Sequence, residues 1–188
     1  MKRPTIKIQY DAPVALSFAL LCLIVFLVNK FTLGWANSEI FSVYRSSLSD
    51  PLTYVRLFTH VLGHTDFNHF FSNMSLFLVL SAIVENKYGS VKLLISIIIT
   101  AFVSGFIHFV FFPATALLGA SGIVFMMIFL ASMANSKNGV IPVSLILVAA
   151  IYLGKEIWAL FLTNDNISQL THIIGGVCGI IFGKYSKR

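Results

Sequence analysis

The chain has 188 residues, of which 57% are hydrophobic and 11% are charged, and its mean hydropathy is +0.89. These proportions exclude a soluble globular protein of this length, because too few polar residues remain to cover its surface. They predict an all-α, polytopic membrane protein. The net charge of +6 could indicate a nucleic-acid partner, but no group of basic residues forms a phosphate-binding patch, so we expect none.

Six apolar segments are candidate membrane spans, since about 20 apolar residues cross the hydrocarbon core of a membrane. In chain order they are Ala12–Leu33, His69–Val84, Val91–Phe112, Ser121–Ala134, Gly139–Phe161 and Ile167–Lys184. The first has a basic flank like a signal peptide but no clear small-residue cleavage site, so we expect a retained anchor. No linker, repeat or low-complexity tract divides the chain, which predicts one domain over residues 1–188.

The longest segment outside the spans runs from Gly34 to about Asn68 and mixes aromatic with polar residues. Aromatic side chains of this kind suit the headgroup layer of a membrane. We therefore expect this first loop to lie in the membrane interface and not to form a separate soluble domain.

Basic residues are distributed unevenly between the two sides of the predicted bundle. With a cytoplasmic N-terminus, nine fall inside, namely Lys2, Arg3, Lys7, Lys87, Lys92, Lys137, Lys184, Lys187 and Arg188. Four fall outside, namely Lys30, Arg45, Arg56 and Lys155. The positive-inside rule then predicts that both termini are cytoplasmic.

The fourth apolar segment is too short to cross the membrane. About 14 residues separate Ser121 from the polar residues 135–138, which is roughly 21 Å of helix against a core of about 30 Å. If Lys137 anchors the lower end at the cytoplasmic face, Ser121 lies inside the membrane thickness. The residues before it, 113–120, then descend as irregular backbone, which is tolerated only when protein encloses it or a wet cavity borders it.

Ser121 lies between Gly119 and Gly122 at the start of this short helix. One interpretation is a small packing residue or an N-cap, both common for serine. The other is a nucleophile with an oxyanion site, because glycines allow close backbone approach and the free N–H groups of a helix start favour negative charge. The sequence leaves both open.

His172 is flanked by apolar residues in the last span, where a histidine is costly and indicates function. Gly175, Gly179 and Gly183 follow it at four-residue spacing, a pattern that lets a helix pack closely on a neighbour. His172 is therefore either a histidine that bonds a neighbouring helix or, if this ladder faces the Ser121 helix, a general base for the serine.

Three histidines, His60, His64 and His69, precede or begin the second span. They do not form the His-Glu-x-x-His pattern and no acidic ligand is suitably placed, so no metal is expected. His69 and Asn73 share one helix face, where they could stabilise an oxyanion or bond another helix. Acidic residues occur only at span ends and in loops, which favours a Ser-His dyad over a triad.

These motifs resemble the rhomboid intramembrane serine proteases, most closely their compact six-span bacterial form. The resemblance extends from about Arg56 to the C-terminus. It is carried by Gly119-Ala120-Ser121-Gly122, by His69-x-x-x-Asn73 in the second span, and by His172 with Gly175 and Gly179 in the sixth.

The resemblance implies a six-helix bundle in which Ser121 is the nucleophile and His172 the general base. It implies an oxyanion hole formed by His69, Asn73 and the Ser121 backbone N–H. It also implies supporting roles for Arg56 in the first loop and for Glu85 with Gly89 after the second span.

Two positions depart from the family pattern. Val55 replaces the tryptophan of a Trp-Arg pair, and Phe125 replaces a tyrosine that stacks on the histidine. Phenylalanine retains the stacking but provides no hydroxyl.

The implied function is cleavage of single-span or multi-span membrane-protein substrates within the lipid bilayer, without a cofactor. Two alternatives remain. An inactive rhomboid-like protein that binds membrane clients is one, although such relatives lack the serine or the histidine. A small transporter with a histidine proton relay is the other, although the polar residues lie only in the outer half and no inverted repeat is evident.

Overall fold

The computed structural model describes residues 11–134, 140–154 and 166–185, which are mostly helical. In chain order the helices are α1 (Pro13–Phe31), α2 (Trp35–Glu39), α3 (Pro51–Thr59), α4 (Phe67–Tyr88), α5 (Ser90–Phe111), α6 (Ser121–Ser132), α7 (Val143–Val148) and α8 (Asn166–Tyr185). A 3₁₀ turn at His60–Leu62 follows α3, and a π-helical turn at Ala149–Leu153 continues α7.

Three helices, α1, α4 and α5, are long and apolar enough to cross a membrane. With 19, 22 and 22 residues they extend about 29 to 33 Å. Their outer faces are apolar, as Leu20 (56% exposed) and Val79 (66% exposed) illustrate, whereas Thr100 and Ser104 are buried between helices. Apolar residues outside and small polar residues inside are the arrangement expected in lipid, so the chain is a multi-pass membrane protein.

The predicted spans differ from the helices mainly at their ends. Helices α1, α5 and α8 agree with prediction to within two residues, whereas α4 begins two residues before His69 and continues four residues beyond Val84. The fifth predicted span is described only over residues 140–154, and the rest of it lies outside the described residues. Six crossings therefore remain a prediction.

Helix α6 occupies the centre of the bundle. It has 12 residues, or about 18 Å, and so is too short to cross, as the sequence predicts. Ile123, Met126 and Phe129 are fully buried, and Val124 and Ile128 on the other side of the helix are only 4% and 6% exposed. Neighbouring helices enclose α6, so its ends lie within the thickness of the protein.

The first loop contains two short helices, α2 and α3. Arg56 of α3 is buried, and its Nε donates a 2.7 Å hydrogen bond to the Glu39 carbonyl oxygen. Its Nη1 lies 3.1 Å from Asp50 Oδ2, and its guanidinium covers the Tyr44 ring at 4.7 Å. These contacts connect α3 to the first half of the loop, whereas Val55 beside Arg56 is exposed.

Glu85 joins α4 to the start of α1. Its carboxylate is almost fully buried and accepts hydrogen bonds from the backbone N–H groups of Val14 (3.0 Å) and Ala15 (2.9 Å). These N–H groups have no partner within α1, and a negative charge there also complements the helix dipole.

We expect Glu85→Gln to destabilise the protein by about 2 kcal/mol, because it removes charged acceptors from two buried donors. The measurement is the unfolding midpoint in detergent micelles. Glu39→Gln is the matched control, because the Glu39 carboxylate is 43% exposed and lies 3.7 Å from Arg56. Because the Glu39 side of this pair is open to solvent, it contributes at most about 1 kcal/mol. Equal effects of the two substitutions would contradict the assignment.

Candidate active site

Ser121 is the first residue of α6, and Ala120 occupies the N-cap position. The serine is partly exposed, whereas Ala120 and Gly122 on either side of it are buried. The first N–H groups of a helix have no partner within it and form its positive end. Ser121 is therefore placed where developing negative charge is favoured.

Three successive contacts hold the segment that leads to Ser121, residues 113–120. In the first, His108 Nε2 lies 3.1 Å from the Thr115 carbonyl oxygen. Leu117 then pairs with Val43 of the first loop through two 2.9 Å backbone hydrogen bonds. These contacts pack the irregular backbone against protein, which is the condition under which such backbone is tolerated inside a membrane.

The third contact is made by Gly119, whose N–H donates a 2.9 Å hydrogen bond to the His60 carbonyl oxygen. Gly119 has a φ of 126°, a conformation that favours glycine. A Cβ built on it would lie 2.8 Å from both Cε1 and Nε2 of His69 and 4.0 Å from Asn73 Nδ2. The backbone just before Ser121 thus faces the two polar side chains that the sequence places on one face of α4.

Asn73 has a buried donor without a partner. Its Nδ2 is buried and makes no hydrogen bond to any residue that the structure describes. A buried unpaired amide costs roughly 1 to 3 kcal/mol, so such a group calls for an explanation. A negatively charged ligand atom beside Gly119 would satisfy it.

His172 reaches α6 through an aromatic contact. Its ring stacks on that of Phe125, with centroids 4.2 Å apart and planes at 4°. Phe125 lies one turn after Ser121 on the same face of α6. The stack therefore holds the imidazole against the helix face that carries Ser121. His172 and His69 also interact electrostatically, which places both histidines at the same end of the bundle.

Two glycines let α8 approach α6 at this level. A Cβ on Gly175 would lie 2.0 Å from the Gly122 carbonyl oxygen, and one on Gly179 would lie 2.3 Å from that of Met126. Gly122 in turn lies against Thr171, the neighbour of His172. The glycine ladder of the sequence therefore faces the Ser121 helix.

Thr65 and Asp66 were missed by sequence reasoning. Asp66 is the N-cap of α4, where Oδ1 accepts a 2.9 Å hydrogen bond from the His69 N–H. Its Oδ2 accepts a 2.8 Å bond from the Thr65 hydroxyl, whose oxygen lies 3.1 Å from His69 Nδ1. The hydrogen bond from the His69 backbone N–H, and to a lesser extent that from the Thr65 hydroxyl, lower the pKa of Asp66 below its usual value. An aspartate three residues before His69 is a helix-start signal that could have revealed the cap.

The supporting residues Arg56 and Glu85 do not join this group. Arg56 lies in the first loop, and Glu85 is 16 positions after His69 on α4, about 24 Å along the helix axis. In the described parts of the chain, no three His, Cys, Asp or Glu side chains come together as metal ligands.

Fold and site together define a multi-pass membrane protein with a serine, two histidines and an asparagine gathered at the N-terminal end of a short, enclosed helix. Comparison with known proteins identifies the family to which this membrane protein belongs. The Rhomboid domain family matches residues 51–188. The chain is also 26% identical over 176 residues to the Rhomboid protease GlpG of Haemophilus influenzae, covering 90% of this chain and 88% of that protein. The chain belongs to the rhomboid family.

Proposed function

We propose that this protein is an intramembrane serine endopeptidase with a Ser121–His172 dyad. Membership of the rhomboid family and the similarity to a rhomboid protease support a protease of this type. The observation that carries the residue assignment is the stack of His172 on Phe125, one helical turn from Ser121. Retention of both dyad residues argues against the inactive client-binding alternative.

In the proposed mechanism, Ser121 Oγ attacks the scissile carbonyl carbon while His172 accepts the hydroxyl proton. The oxyanion receives hydrogen bonds from the Ser121 N–H, Asn73 Nδ2 and His69. His172 then gives its proton to the departing amine as the C–N bond breaks. Water from the outer side attacks the acyl-enzyme, its proton passes to His172, and Ser121 is released with its hydroxyl restored.

The proposed substrates are single-span or multi-span membrane proteins that meet the enzyme in the lipid bilayer. Their helix carbonyls are already bonded, so cleavage requires local unwinding and favours small or helix-breaking residues near the cut. We further propose one domain over residues 1–188 with six spans and a bacterial inner-membrane location. We also propose that both termini are cytoplasmic, which the excess of basic residues on one side supports.

The test is cleavage of a model single-span substrate by purified protein in detergent, with labelling by a fluorophosphonate probe. Ser121→Ala should abolish both cleavage and labelling, because it removes the nucleophile, and His172→Ala should lower cleavage by at least about 10³-fold. Ser132→Ala is the matched control, because Ser132 lies on the same helix but donates its hydroxyl to the Ile128 carbonyl oxygen at 2.8 Å.

Cleavage by Ser132→Ala at the wild-type rate, together with inactive Ser121→Ala, supports the proposal. Undiminished cleavage by Ser121→Ala, or wild-type protein that neither labels nor cleaves, overturns it.

A further inference from the structure

A chain of hydrogen bonds connects the Asp66 carboxylate to the His69 ring through the Thr65 hydroxyl. The Thr65 oxygen lies 2.8 Å from Asp66 Oδ2 and 3.1 Å from His69 Nδ1. A hydroxyl has one hydrogen to donate, and an ionised carboxylate only accepts. The Thr65 hydrogen therefore points to Asp66, and His69 must supply the hydrogen of the second bond from Nδ1.

A proton on Nδ1 has a consequence for the other ring nitrogen. In a neutral imidazole only one nitrogen carries hydrogen, so Nε2 would then be an acceptor. Yet Nε2 is the atom that faces the backbone before Ser121, at 2.8 Å from the Cβ position of Gly119. His69 can donate toward that position only as an imidazolium, with hydrogen on both nitrogens.

We propose that Thr65 and Asp66 are positioning residues that keep a proton on His69 Nδ1, so that His69 stabilises the oxyanion as an imidazolium. This inference rests on the proposed function for its catalytic consequence, although the protonation state itself does not. A charge-assisted hydrogen bond is roughly twice as strong as a neutral one, which gives the cation an advantage during turnover.

The charged and titratable groups around His69 act in both directions, because the Asp66 carboxylate favours a positive charge on its ring whereas burial of the ring and His172 on α8 oppose it. Asp66 is the nearest negative charge, and two bonds to its carboxylate lower its pKa, so it stays ionised at neutral pH. The His64 ring lies edge-on at 5.0 Å, and burial lowers its pKa to about 4, so it adds no positive charge there. On α8 the facing group is His172, and on α1 Lys30 lies over the Phe26 ring. Residues 113–134 contain no titratable side chain.

Two substitutions separate this role from helix capping. Asp66→Asn retains a good N-cap but replaces the carboxylate with an amide that donates to Thr65. The Thr65 hydrogen then turns to His69 Nδ1, and neutral His69 carries its hydrogen on Nε2. Thr65→Val removes the connection without changing the shape of the side chain much, and Thr65→Ser keeps the hydroxyl as the control.

The direct measurement is ¹⁵N NMR of the histidine side chains in the full chain in detergent micelles, with the His69 signal assigned by its loss in His69→Asn. We expect both ring nitrogens of His69 to be protonated in the wild type and in Thr65→Ser near neutral pH, and an unprotonated Nδ1 in Asp66→Asn at high pH. An unprotonated Nδ1 or Nε2 in the wild type near neutral pH, or an unchanged His69 signal in Asp66→Asn, overturns the proposal.

The pH profile of kcat provides the functional measurement. In the wild type kcat should fall at high pH as His69 loses its second proton. In Asp66→Asn this alkaline limb should flatten and the maximum should drop about tenfold, because the remaining donor is neutral. In Thr65→Val the limb should move about one pH unit lower, because the cation loses its link to a negative charge. Identical profiles for the wild type and Thr65→Val overturn the proposal.

The NMR result distinguishes this inference from the proposed function. Recorded on Ser121→Ala protein, it requires no cleavage. If the wild type proves inactive while Nδ1 is protonated as expected, the proposed function fails and the assignment of the proton stands.

Discussion

Replacing Gly119 with alanine should reduce kcat about 10²- to 10³-fold while leaving the protein folded, an effect as large as the loss of one oxyanion donor. The added Cβ would lie 2.8 Å from His69 Nε2, a distance that real Cβ contacts do not tolerate. The His69 ring cannot simply retreat, because Thr65 holds its Nδ1 at 3.1 Å and the His64 ring lies 5.0 Å away.

The backbone offers no easier solution. Gly119 has a φ of 126°, which alanine rarely adopts, and its N–H bonds the His60 carbonyl oxygen at 2.9 Å. Relaxing either feature rotates the peptide that leads to Ala120 and Ser121. The substitution therefore displaces either the proposed oxyanion donor or the proposed nucleophile.

Gly34→Ala is the matched control for Gly119→Ala. Gly34 has a φ of 94°, so alanine there is also strained, but within the part of the chain that the structure describes a Cβ would meet no atom closer than 4 Å. We expect it to cost about 1 kcal/mol of stability and to leave kcat unchanged. The measurements are kcat on a model single-span substrate and the unfolding midpoint in detergent. Equal loss of kcat in both variants, or full activity of Gly119→Ala, would contradict the argument.

The short α6 could be predicted from the sequence because its signals are local. An apolar run begins after Gly119 and ends before the polar residues 135–138, and helix length follows from the residue count. The shared face of His69 and Asn73 was predictable for the same reason, since helical periodicity depends only on their spacing.

Contacts between distant segments could not be predicted in this way. Glu85 accepts hydrogen bonds from residues 70 and 71 positions away, and no local pattern indicates that partner. The pairing of Val43 with Leu117 likewise joins two irregular segments, neither of which has the alternation of a strand. Tertiary contacts also determine the order of the first loop, because Arg56 bonds a carbonyl 17 positions before it.

The site shows the same division between local and non-local information. The sequence predicts that Ser121 begins a helix and that a glycine ladder follows His172. It does not predict that this ladder faces α6. It also does not show that Gly119 faces His69. The N-cap role of Asp66 was available locally, whereas its link through Thr65 to the His69 ring depends on side-chain geometry.

Gly175→Ala should destabilise the protein by about 3 kcal/mol or more, near the upper end for overpacking. Its Cβ would lie 2.0 Å from the Gly122 carbonyl oxygen and 2.9 Å from the carbonyl carbon. Both atoms are backbone, so no side chain can rotate away. Helix α8 must therefore move outward from α6.

Gly154→Ala is the control for Gly175→Ala, because a Cβ on Gly154 would meet no atom of the described residues within 4 Å. Replacing glycine by alanine in an open helical position is neutral or slightly stabilising, since alanine has the higher helix propensity. The measurement is the unfolding midpoint of both variants in the same detergent. Similar midpoints for the two variants would refute the close-packing argument.

The same substitution should also affect the chemistry beyond its effect on stability. Gly175 lies one turn after His172, and Gly122 directly follows Ser121, so this contact determines how far the proposed base is from the proposed nucleophile. An outward movement of about 1 Å is enough to cost about 10²-fold in rate. Folded Gly175→Ala, assayed below its unfolding midpoint, should therefore show a lower kcat with a nearly unchanged KM. Full activity of that folded protein would mean that the contact holds the helices together without positioning the dyad.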